Sequence, residues 1–118
     1  MAALTVYHNP NCSTSKHALA TLQELEVDHE VVQYLKTPPD RATLERIIAM
    51  LEDPVADLVR KDGYFTELGL DADDYTTPAP VVDLLLEHPR LMQRPVLVRG
   101  DRAIIGRPKD RVAPFVED

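Results

Sequence analysis

The chain holds a single cysteine, Cys12, in the run His8-Asn9-Pro10-Asn11-Cys12-Ser13-Thr14-Ser15. The thiolate, not the thiol, is the nucleophile, and it forms where the surroundings favour an anion. The flanking pattern implies such surroundings. Leu4-Thr5-Val6-Tyr7 alternates and is β-prone, so it reads as a first strand. Pro10 keeps Asn9 out of helical geometry, and Ser13 or Thr14 is placed to cap a following helix. Cys12 then falls at or just before a helix N-terminus, where unpaired N–H groups and the macrodipole favour negative charge. The same N–H groups can hold an oxyanion beside the sulfur. A buried structural cysteine is the competing reading, and the polar loop around Cys12 speaks against it. His8 either raises the thiolate fraction by its charge or serves only the loop. Ser15 stands where a Cys-x-x-Cys motif would have its second cysteine. Its hydroxyl either donates to Cys12 or bonds within the first helical turn.

Composition narrows what such a nucleophile can meet. A length of 118 residues suits one domain with its own core. The net charge of −7 argues against nucleic acid, since phosphate-backbone binding draws on a basic surface. Any anion site is therefore local, built from chosen arginines against an unfavourable overall field. No apolar run approaches the roughly 18 residues of a membrane span, and no signal-peptide pattern opens the chain. A lone cysteine cannot form an internal disulfide, which fits a reducing cytoplasm. His8, His17, His29 and His88 show no metal-ligand spacing, and no metal is expected. There is no glycine-rich phosphate loop, and Ala18 stands where a phosphatase-type cysteine loop would carry its arginine.

The rest of the chain must supply the frame. Ala18, Leu19, Leu22 and Leu25 recur at helical spacing, so residues 13–26 read as an amphipathic helix. Residues 30–35 form a second strand, and strand–helix–strand predicts a parallel pair with a right-handed crossover. Asp40 is placed to cap a helix over residues 41–52, striped by Leu44, Ile47, Ile48 and Leu51. Pro54 opens a short helix through Leu58 and Val59, residues 64–70 give a turn or two, and Thr77-Pro78 opens a helix ending at His88-Pro89. Val96-Leu97-Val98 and Ala103-Ile104-Ile105, joined through Gly100-Asp101, predict an antiparallel hairpin. A last helix carries Val112, Phe115 and Val116 on one side. The order β-α-β, a helical insertion over about 40–90, then β-β-α is the α/β plan of a thioredoxin-like fold. It implies a single domain over 1–118 with a four-stranded mixed sheet. Arg94 and Arg107 each precede a proline, which holds them extended at the edges of the hairpin. A hairpin beside the first strand brings both side chains toward Cys12.

The residues His8 to Ser15, Tyr34-Leu35-Lys36-Thr37-Pro38-Pro39, Leu58-Val59-Arg60-Lys61, Arg94-Pro95 and Ile105-Gly106-Arg107-Pro108 together resemble the glutaredoxin-coupled arsenate reductases. The match runs in order over nearly the whole chain. The chain is similar to the short members, since it stops soon after the Gly106-Arg107-Pro108 segment. The resemblance implies that Cys12 attacks arsenate while Arg60, Arg94 and Arg107 surround the oxyanion. It also implies a cis peptide before Pro95, glutathione as co-substrate with no bound cofactor, and glutaredoxin as protein partner. A cytoplasmic monomer is expected. The count of thiols adds a constraint of its own: two-electron reduction needs two thiols, so the second must come from outside. Two other classes remain open, a different thiol oxidoreductase or oxyanion reductase on the same scaffold, and a non-enzymatic regulator that binds RNA polymerase.

Overall fold

A computed structural model describes residues 4–117. Strand β1 (Leu4–His8) leads through helix α1 (Ser13–Glu24) to strand β2 (Glu30–Gln33). Helices α2 (Arg41–Met50), α3 (Gly63–Glu67) and α4 (Pro78–Glu87) follow, with short 3-10 turns between them. The hairpin β3 (Val96–Arg99) and β4 (Arg102–Ile105) and the terminal helix α5 (Val112–Glu117) complete the order. The sheet runs β2-β1-β3-β4. β1 and β2 are parallel, and the other two pairings are antiparallel. This is the thioredoxin-like arrangement expected from the element order.

Alternation along the strands divides the core between the two sheet faces. Leu4, Val6, Leu97 and Ile104 pack with Ala18 and Leu22 of α1 and with Val112, Phe115 and Val116 of α5. Val96 and Ile105 face the other way, onto Leu44 and Ile47 of α2 and the Val81, Val82, Leu84 and Leu85 run of α4. The helices between β2 and β3 therefore cover one face of the sheet. They also cover its edge: Glu52 N–H donates to the Ala103 carbonyl at 2.9 Å, and Ile105 N–H donates to Asp53 Oδ2 at 2.9 Å. These bonds satisfy backbone groups on β4 that an open edge would expose. Among the described residues, no helix is long and apolar enough to cross a membrane.

Local chemistry explains where the elements end. Asp40 accepts from Thr43 N–H and caps α2 as expected. Gly100, with φ +62, takes the first turn position of the β3–β4 hairpin, where a positive φ is required. Helix α1 ends at Glu24, two residues earlier than its periodicity suggests. The reason is a Schellman closure, with Glu26 N–H bonded to Gln23 O and Val27 N–H to Leu22 O. Glu26 holds the left-handed position, φ +57, that glycine usually fills. β2 is also shorter than expected. It stops at Gln33, whose carbonyl accepts from both Lys36 and Thr37 N–H, and Tyr34 turns fully inward.

Candidate active site

The turn from β1 into α1 fixes the sulfur. Cys12, with φ −106 and ψ 122, is itself the N-cap of α1, so Ser13 and Thr14 lie inside the helix rather than capping it. Its N–H donates to the Asn9 carbonyl at 3.1 Å, and its own carbonyl accepts from Lys16 N–H at 3.0 Å. No side-chain hydrogen bond of standard geometry caps the helix. The sulfur stands where a capping oxygen would, and the Ser15 and Thr14 N–H groups stabilise its anion.

Burial pushes the Cys12 thiol up, since the residue is only 8% exposed. That effect is outweighed by the Ser15 N–H, the Arg94 side chain, the Thr14 N–H and the charge of Arg107, so the thiol lies below its ordinary value. Arg107 donates through Nη2 to the sulfur at 3.3 Å and through Nε to the Arg94 carbonyl at 2.8 Å. The two arginines are thus locked to each other as well as to Cys12. Arg94 Nε is buried and has no hydrogen-bond partner among the described residues, a donor left open inside the site. Both arginines precede cis peptide bonds, Arg94-Pro95 and Arg107-Pro108. The first of these matches expectation; the second carries no signal in the sequence. Gly106 joins the two segments by close approach: its N–H donates to Pro95 O at 2.8 Å. A Cβ at Gly106 would lie 2.9 Å from Pro95 Cγ.

Arg60 arrives differently. Its backbone N–H donates to Leu91 O at 2.7 Å, and Gln93 N–H donates to Leu58 O at 2.8 Å. Its segment is therefore stitched to the one that leads into Arg94. The Arg60 guanidinium, however, donates through Nε to Asp62 Oδ2 at 3.0 Å. Asp62 also accepts from Phe65 N–H as the cap of α3. Among the described residues, Arg60 makes no hydrogen bond to the sulfur, so two of the three arginines meet at Cys12 and the third is held on an aspartate.

His8 and Ser15 form the underside of the loop. The Ser15 hydroxyl accepts from Asn9 N–H at 3.1 Å and lies 2.8 Å from His8 Nδ1. Ser15 is fully buried and His8 is 5% exposed. The hydroxyl bonds neither to Cys12 nor within the helical turn, the two roles its position suggests; only its backbone N–H faces the sulfur. Burial, with a smaller push from Lys16, lowers the His8 pKa and favours a neutral ring. His8 therefore shapes the loop and does not supply charge to it.

Tyr34 and Asn9 join the site; both stand in runs that carry the family resemblance, but neither is singled out there as a site residue. Tyr34 is fully buried, its hydroxyl donates to Met92 O at 3.4 Å, and the side chains of Asn9 and Arg94 approach the phenol oxygen as donors. In the sequence Tyr34 reads as one more strand residue. The available clue is a tyrosine, which needs a partner for its hydroxyl when buried, at the end of a strand beside the Cys12 loop. A cleft of about 280 Å³ beside Arg107 is lined also by Asp53, Asp57, Lys61, Gln93 and Arg111, and Cys12, Asn9, Tyr34, Arg60 and Arg94 do not border it. Among the described residues, no cluster of three or more His, Cys, Asp or Glu side chains is placed to hold a metal ion.

Residues 7–115 match the sequence model of the ArsC family. The chain is 39% identical over 116 residues to an arsenate reductase of Rhizobium meliloti, covering 98% of this chain and 82% of that protein. It is equally identical, over 94% of each chain, to the Escherichia coli protein YfgD, which is described as uncharacterized. Its fold superposes on an arsenate reductase from Vibrio cholerae with a TM-score of 0.83 at 32% identity, over 94% of this chain and 95% of that one. A cysteine at a helix mouth with arginines brought in from the hairpin thus comes with matching sequence and fold over nearly the full length: the chain belongs to the ArsC family.

Proposed function

We propose that the protein is an arsenate reductase that uses Cys12 as nucleophile and glutathione with glutaredoxin as its electron source, working in the cytoplasm. The observation that carries this reading is the 3.3 Å contact of Arg107 Nη2 with a sulfur already held at the N-terminus of α1. The relatives named arsenate reductase supply the substrate class.

In the first step the Cys12 sulfur attacks arsenic and an arsenate oxygen leaves as water. The enzyme thiol and the singly charged arsenate anion thus give a cysteine–arsenate adduct, still singly charged, and one water molecule. An S–As bond replaces an As–O bond, and arsenic remains As(V). Arg94 and Arg107 bind the oxyanion by charge-assisted, forked hydrogen bonds, and the open Nε of Arg94 is a donor for one of its oxygens. Arg60 closes the third side by exchanging Asp62 for substrate oxygen. Donors placed before the reaction stabilise the charge that develops on oxygen without reorganising. In the second step glutathione attacks the Cys12 sulfur and the S–As electron pair stays on arsenic, while the glutathione proton passes to an arsenic-bound oxygen. The products are the singly charged arsenite anion and an enzyme–glutathione disulfide, with the two sulfurs oxidised and As(V) reduced to As(III). Glutaredoxin then reduces the mixed disulfide. An external thiol is required because the chain has one cysteine. Ser15 and His8 serve binding indirectly, holding the loop that presents the Ser15 N–H.

The test is arsenate-dependent NADPH consumption with glutathione, glutathione reductase and glutaredoxin. Turnover is expected for the wild-type protein and none for Cys12→Ser. Equal rates for the two proteins would remove the reading.

A further inference from the structure

Arg94 is held at the sulfur by something other than substrate. Among the described residues its backbone N–H reaches only the neighbouring Gln93 Oε1, at 3.4 Å, and its Nε has no partner. Tyr34, which leaves β2 just after its last paired residue and turns into the core, lies near the Arg94 side chain. The phenol donates to Met92 O, two residues before Arg94, and that same stretch clasps Leu58 and Arg60 through the Val59–Met92 pairing. One buried hydroxyl therefore ties the end of the parallel strand to the segment from which two of the three arginines spring. It donates to Met92 O, and the Arg94 and Asn9 side chains lie close enough to the phenol oxygen to favour its anion.

We propose that Tyr34 is a positioning residue of the active site: its buried hydroxyl, anchored on the Met92 carbonyl, holds the Arg94 guanidinium in place beside Cys12. Tyr34 does not touch substrate, because it is fully enclosed. The charged and titratable groups that face the sulfur are Arg94, Arg107 and the Tyr34 phenol. Burial keeps that phenol protonated by raising its pKa, although Arg94 and Asn9 pull the other way. It is therefore a neutral acceptor for Arg94 throughout the range in which Cys12 titrates. The inference rests on the reading of Cys12 as a reactive thiolate, but not on arsenate as its substrate.

The experiment is the rate of Cys12 alkylation by iodoacetamide against pH, without arsenate, for wild type, Tyr34→Phe, Arg94→Ala and the double variant. The ring that fills the core is kept in Tyr34→Phe, and only the oxygen is lost. The expected result is a thiol titration moved upward, with an alkylation rate near pH 6 lowered about tenfold for each unit of that move. In the Arg94→Ala background the same change is expected to move nothing further. A Tyr34→Phe profile that overlays the wild type overturns the proposal, even if the variant melts earlier. So does a shift that persists undiminished without Arg94. A wild-type profile that already titrates as a free thiol overturns both this proposal and the thiolate reading, whereas failure at Tyr34 alone leaves the latter standing. Should Tyr34→Phe fail to fold, nitrogen NMR of the wild-type guanidinium decides. Separate signals for the two Arg94 Nη atoms support the clamp, and a single averaged signal at low temperature refutes it.

Discussion

The flanks of the β3–β4 hairpin and the Arg60 segment are stitched to one another through the stretch before Arg94, but they hold their guanidinium groups in opposite ways. At the hairpin, Arg107 is bonded to Cys12 and to the Arg94 carbonyl, and Gly106 packs against Pro95 so closely that the two flanks form one block. At Arg60 the backbone is just as firmly tied, yet the side chain faces Asp62. The first arrangement sets the acidity of the thiol before any ligand arrives. The second is not among the main influences on the Cys12 thiol, and on the proposed function it adds its charge when an anion replaces the aspartate. Exchanging a partly exposed ion pair of this kind costs little, about 0–1 kcal/mol. On the proposed function, the site divides into a fixed part that activates and an exchangeable part that captures.

The largest expected effect is the loss of all turnover in Cys12→Ser, read by arsenite formation. Next, Arg107→Ala is expected to lower kcat/KM on the order of 10²- to 10³-fold, as for removal of a donor from an oxyanion site, and to raise the thiol titration. Arg60→Ala should raise KM for arsenate while leaving the alkylation profile of Cys12 in place. A shift of that profile equal to the one from Arg107→Ala would erase the distinction between the two regions. Freeing Arg60 sharpens it from the other side. Asp62→Ala is expected to lower KM for arsenate although it removes the cap of α3 and costs about 1 kcal/mol of stability, measured by urea unfolding.

The thiol itself gives a pH dependence whose sign is fixed. The folded pKa of Cys12 is depressed, so the unfolded chain binds the proton more tightly over the interval between the two values. Its contribution to stability is fully present above the unfolded value of about 8.5 and is lost as pH falls through the folded one. The stability of wild type relative to Cys12→Ser should therefore rise with pH until about pH 8.5 and then level off. A difference that stays flat across this range contradicts an activated thiol.

The legible parts of the molecule are those written in local periodicity. Alternation in β1 and the Val96 and Ala103 runs, the apolar stripes of α1 and α2, and the Asp40 cap each depend on neighbours in sequence, and the structure realises them. What the sequence hides depends on partners far away or on a substituted signal. The end of α1 is obscured because Glu26, not glycine, occupies the left-handed position. The buried hydroxyl of Tyr34 finds its partner at Met92, 58 residues later. The Arg60–Asp62 pair lies two residues apart in plain sight, but no spacing rule tells which anion an arginine prefers. Ser15 draws notice through its hydroxyl, whereas its backbone N–H is what reaches the sulfur. The smallest prediction comes from the first of these. Glu26→Gly should stabilise the fold by about 1 kcal/mol, by relieving the left-handed strain, without altering Cys12 alkylation.

Catalysis of this kind requires an oxyanion seated between Cys12 and its arginines, and arsenate protection of Cys12 against alkylation tests this most directly. Saturable protection in wild type that is weakened in Arg60→Ala and lost in Arg107→Ala is the predicted result. Alkylation at one rate regardless of arsenate, in a folded wild-type protein, would contradict it.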